Sequence, residues 1–100
     1  MSVNYYLDSP HNEAGHIGRW AAGYFTAKAP EHVNSFDDWA AWLHGHRIFA
    51  EHGTEYSPDE MVAMTKPTED GRRYNLPRFP REAQGEFIER GVLFVRYEFC

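Results

Sequence analysis

An α+β fold is predicted for this chain, and three observations predict it. Alternating apolar residues mark a strand at each end of the sequence, and two well-capped helix starts lie between them. One hundred residues with 42% hydrophobic content are enough for one small domain. A chain of this length buries roughly 65% of its unfolded surface, so a single core needs no disulfide or metal to hold it. The expectation is an antiparallel sheet in which the N- and C-terminal strands pair, with two to four helices on one face. A third strand is placed at 47–51 or near 72–76, and residues 1–100 form one domain.

Val3, Tyr5 and Leu7 alternate with Asn4, Tyr6 and Asp8, the pattern of a short strand with one buried face. Ser9-Pro10 breaks it. Ile17, Trp20, Ala21 and Tyr24 then recur at helical spacing beside Phe25, which predicts a first helix ended by Pro30. Gly15, Gly18 and Gly23 each weaken that helix by up to ~1 kcal/mol relative to Ala.

Residues 35–45 are the best-defined stretch. Ser35 is an N-cap with Asp38 three residues on, and Asp37 and Asp38 suit the positive end of a helix dipole. Phe36, Trp39, Ala40 and Leu43 make one apolar stripe, and Gly45 supplies a left-handed stop. Trp42 stands off the stripe, so it either widens the core face or reaches solvent. Residues 46–53 read equally as strand or helical turn. Ser57, Pro58 and Glu60 form a second helix start, stopped at Lys66-Pro67. An extended Pro/Arg-rich loop follows over 66–81. A weaker helix, interrupted by Gly85, is expected over 80–90. Val92 to Phe99 is the strongest strand, with Leu93, Val95, Tyr97 and Phe99 on its buried face and Phe94, Arg96 and Glu98 opposite.

Composition excludes several functions. The net charge of −5 is too weak to argue for DNA mimicry and has the wrong sign for general nucleic-acid binding. No apolar run approaches the ~20 residues of a membrane span, and no signal peptide is read. The lone cysteine, Cys100, fits a reducing compartment, so a cytoplasmic location is expected. No nucleophile elbow or phosphate loop occurs, so no catalytic residue is assigned and no enzyme, cofactor or metal is expected.

Two clusters carry the candidate chemistry. His44, His46 and His52, near Glu51 and Glu55, offer metal-ligand types, yet no H-x-x-x-H pair places two on one helical turn. Glu13 and His16, at i and i+3, form a lesser polar pair beside His11 and Asn12. Arg72, Arg73, Arg78 and Arg81 lie among Tyr74 and Phe79. A solvated loop is the plainest reading of that group, but guanidinium groups beside rings also suit protein hot spots and single-stranded nucleic acid.

In size and composition the chain resembles the small proteins that phages and mobile elements encode to block host machinery, a generic likeness that assigns no residues. The first expectation is therefore a non-enzymatic protein-binding module, anti-CRISPR-like, docking onto a larger protein or nucleoprotein complex. Its partner-binding residues would be Arg72, Arg73, Tyr74, Arg78, Phe79, Arg81 and Trp42. The alternatives are a small metal-dependent hydrolase using His44, His46 and His52, and a single-stranded nucleic-acid binder using the 72–81 loop.

Overall fold

The first strand, β1 (Ser2–Leu7), follows the expected alternation, burying Tyr5 and Leu7 against the core. It belongs to a computed structural model that describes residues 2–21, 23–68 and 80–97. The other strands are β2 (His16–Ala21), β3 (Tyr24–Lys28), β4 (Ile48–Ala50), β5 (Glu55–Tyr56), β6 (Phe87–Glu89) and β7 (Val92–Val95). The helices are α1 (Phe36–Leu43) and α2 (Pro58–Met64). Among the described residues, seven strands form one mixed sheet in the order β5-β4-β1-β2-β3-β7-β6. Every pairing is antiparallel except that of β3 with β7. The fold is thus α+β, with a larger sheet than the terminal strands alone would give.

The terminal strands do not pair with each other; β2 and β3 lie between β1 and β7. These two strands occupy the stretch expected as the first helix, and the cause is local. Tyr5 pairs with Gly18 and Tyr6 with His16, so Ile17 is an extra residue in a β-bulge. The bulge lets Ile17 enter the core alongside Trp20 and Phe25, which gives a strand hairpin an apolar spacing that imitates a helix. Gly18 sits under the Phe25 ring, where any side chain would collide. Gly23, at φ +85°, turns β2 back into β3.

A second correction concerns residues 80–90. They form a single 3-10 turn (Glu82–Gln84), a left-handed Gly85 at φ +82°, and then β6. Arg90 and Gly91, at φ 52° and 77°, make the two-residue turn into β7, because both positions of a type I′ turn require positive φ. The expected faces of the last strand are also exchanged in part. Phe94 is fully buried in the core with Val92, although Leu93 and Val95 are buried too. The ambiguous stretch at 46–53 resolves as β4, which pairs with β1. The expected loop at 66–81, and the strand near 72–76, lie mostly outside the described residues.

Both capped helices form where expected. The Ser35 hydroxyl accepts from the Asp38 N–H at 3.1 Å, and Gly45 takes φ +87°. At the second helix the box is reciprocal: Glu60 N–H donates to Ser57 Oγ at 3.1 Å, and Ser57 N–H donates to Glu60 Oε1 at 2.8 Å. Tertiary contacts then fix α1 on the sheet. Glu89 of β6 accepts from the Phe36 N–H at 3.1 Å, satisfying an orphan donor of the first turn. Arg96, just past β7, donates to the carbonyls of Ala29 and Pro30 at 3.3 and 3.0 Å. Trp39 is fully buried, and its ring meets Phe25, Phe36 and Phe94 with centroids 5.7, 5.9 and 6.3 Å away.

The close fit at Gly18 yields a test. A methyl group there would press into the Phe25 ring and come within 2.8 Å of the Thr26 carbonyl oxygen. Gly18→Ala is expected to lower stability by about 1–3 kcal/mol, the cost of overpacking a filled site. Urea denaturation would measure it, and an unchanged midpoint would mean that β2 and β3 do not meet as described.

Candidate functional site

The polar residues that draw together do so at the β4–β5 end of the sheet. Asp8 follows β1 with φ 69°, a left-handed conformation that aspartate tolerates better than most side chains. Its N–H donates to the Arg47 carbonyl at 2.6 Å, while the Arg47 N–H donates back to Asp8 Oδ1 at 3.2 Å. The second carboxylate oxygen of Asp8 lies 2.9 Å from His46 Nδ1. Asp8 therefore clamps the chain where it leaves α1 and enters β4, and it fixes the His46 ring.

Arg47 extends the cluster. Its Nε and Nη2 donate to the two oxygens of Glu55 at 3.0 and 2.9 Å, a bidentate pair across the β4–β5 hairpin. The guanidinium carbon also lies 5.0 Å from the centre of the Phe49 ring. His46, Arg47, Glu55, Tyr56, Ser57, Pro58 and Glu60 line an open cleft of about 420 Å³. Both pairs shift their acids. The hydrogen bond from His46, helped by the Arg47 N–H, holds the Asp8 carboxyl below the usual carboxylate range. The hydrogen bonds from Arg47 do the same for Glu55.

Chemically this cleft is occupied by its own partners. An imidazole oriented by a carboxylate resembles two members of a hydrolytic triad. Ser57 shares the cleft, yet its oxygen is engaged as the cap of α2, accepting the Glu60 N–H. Among the described residues, no three His, Cys, Asp or Glu side chains gather as a metal-binding group. The predicted His44, His46 and His52 cluster is dispersed accordingly. His46 pairs with Asp8, His52 Nδ1 lies 3.1 Å from Thr54 Oγ1, and His44 is exposed just after α1.

The Glu13 and His16 pairing expected on a helix is replaced by a different contact. His16 is buried on β2, and its Nε2 lies 3.0 Å from Asn4 Oδ1 and 3.1 Å from the Gly18 carbonyl. Asn4 Nδ2 donates to Glu51 Oε1 at 3.2 Å, which leaves its Oδ1 as an acceptor. With two acceptors facing it, Nε2 carries the proton. This chain of bonds ties β1, β2 and the end of β4 behind the sheet, and it is a structural role.

Of the predicted partner-binding residues, Arg72, Arg73, Tyr74, Arg78 and Phe79 lie outside the described residues. Arg81 is exposed ahead of the 3-10 turn, its N–H donating to Glu86 Oε1 at 2.9 Å. Trp42 is half-buried on α1, packed against the core, with the exposed His32 edge-on at 5.4 Å. The role of Asp8 is not legible in the sequence because its partners are nearly forty positions away; its one local signal is the turn at Ser9-Pro10. Among the described residues no helix is long and apolar enough to cross a membrane. Compared with known protein families, characterised proteins and solved structures, the chain matches none.

The depressed Asp8 carboxyl predicts an acid-side effect. A group whose pKa is lowered by folding adds stability above its unfolded value and loses it as pH falls through the folded one. Titrated by carboxyl NMR, Asp8 is expected to ionise below the ordinary carboxylate value, and His46→Ala should move it back up. An Asp8 midpoint indifferent to that substitution would show that the imidazole contact is not made in solution.

Proposed function

We propose that this protein is a non-enzymatic binding module that docks onto a larger protein or nucleoprotein complex. In this reading it acts in the cytoplasm as a small inhibitor of host machinery, in the manner of an anti-CRISPR protein. The observation that carries it is the self-pairing of the cleft. Asp8 is taken by His46, Arg47 by Glu55, and Ser57 by Glu60, so the groups that resemble catalytic machinery serve to close the fold. What remains for recognition is surface. Trp42 is partly buried on α1 and leaves part of its residue at the surface, and Trp with Arg and Tyr dominates the energetics of protein interfaces. Arg81, with Arg72, Arg73, Tyr74, Arg78 and Phe79, supplies the same residue types in the other candidate stretch of the sequence.

A pull-down from host lysate with tagged protein, with and without nuclease, tests the proposal. One protein partner is expected to stay bound through nuclease, and Trp42→Ala should weaken it by about 2 kcal/mol while the variant still melts cooperatively. A partner released by nuclease would favour single-stranded nucleic acid through the 72–81 loop instead.

A further inference from the structure

The net charge is concentrated in one stretch of the sequence. Between residues 29 and 65 stand seven carboxylates and one arginine, a formal −6 against −5 for the whole chain. The rest of the sequence, including nine of the ten basic residues, sums to +1. The acidic stretch is contiguous in space: α1 touches α2, β4 pairs with β5, and β5 leads directly into the cap of α2. Its one arginine is held by Glu55. Neither helix carries a basic residue in its last turn, whereas Asp37, Asp38, Asp59 and Glu60 are exposed in the first turns. Asp37 is 91% exposed and meets Arg90 only at 3.8 Å.

A second, independent feature sits inside this charge. Trp42 presents part of its indole on α1, with the exposed His32 ring packed edge-on against it. An aromatic anchor within a charged rim is the make-up of a protein interface, where the ring supplies affinity and the charges supply steering and selectivity. Phosphates would be repelled by these carboxylates, and a surface built to hold phosphates would be attracted by them.

We infer that the helix layer, centred on Trp42 and rimmed by Glu31, Asp37, Asp38, Asp59 and Glu60, docks onto a basic protein surface of the kind that holds nucleic-acid phosphates. This rests on the binding-module reading and adds to it the chemistry of the partner and the face that meets it. Occupying such a surface blocks the nucleic acid that would otherwise lie there.

A labelled oligo-arginine peptide, titrated at neutral pH and low salt, is the probe. Wild type is expected to bind it, and the double substitution Asp37→Asn with Asp59→Asn to weaken binding about tenfold. Glu13→Gln with Glu82→Gln removes the same charge at exposed positions outside the layer, and should change binding by less than about twofold. Equal losses in both variants would overturn the inference, since charge alone would then explain binding. So would an unaffected helix-layer variant, or wild type that leaves the peptide unbound. In the lysate experiment, a nuclease-resistant partner that still binds the Asp37→Asn, Asp59→Asn protein would preserve the binding-module reading while removing this surface from it.

Discussion

The indole of Trp39 is the contact on which the rest of the structure depends. Its Nε1–H donates to the Ile17 carbonyl at 3.1 Å, so the helix is hydrogen-bonded to the bulge of β2 as well as packed on the sheet. A bulge leaves a backbone group outside the regular ladder, and burying that group without a partner would cost about 1–3 kcal/mol. Trp39 supplies the partner and fills the space above β3 and β7 with the same ring. The bulge, the glycine under Phe25 and the position of α1 are one arrangement and depend on one another. Glu89, accepting from the Phe36 N–H, then ties the first turn of the helix to β6.

That dependence also explains what the sequence can and cannot disclose. Local chemistry was legible: Ser35, Ser57 and Glu60 cap because side-chain oxygen and amide lie within one turn, and Gly45 stops α1 through its own backbone freedom. The β2–β3 hairpin was not, because Ile17, Trp20 and Phe25 reach one face through a bulge, and periodicity assumes an unbroken strand or helix. The glycines at 18 and 23 argued against a helix, but their meaning rests on the Phe25 ring and on a turn. Similarly, Gly85 and Gly91 marked the failure of a helix over 80–90 without revealing the hairpin that replaces it. Parallel pairing of β3 with β7 is a long-range choice that no local pattern encodes.

The polar clusters divide along the same line. His44, His46 and His52 are near in sequence, yet each meets a different environment, and the partner that orients His46 comes from the end of β1. The self-paired cleft and the helix layer then have different parts. Asp8, Arg47 and Glu55 fasten the β4–β5 edge, while Asp37, Asp38, Asp59 and Glu60 of α1 and α2 supply four of the seven carboxylates of the acidic stretch. Even a modest net charge becomes informative once it is segregated, since the field at a surface follows the local arrangement and not the total. The proposed docking face therefore exists only as long as α1 stays seated on the sheet.

Chemical denaturation of Trp39→Ala tests that seating most directly. A loss of about 3–5 kcal/mol is expected, the range for deleting a large buried ring and a large share of the roughly 5–15 kcal/mol that holds an ordinary domain folded. A cooperative transition with its midpoint close to wild type would contradict it, because α1 would then be held to the sheet by something other than Trp39.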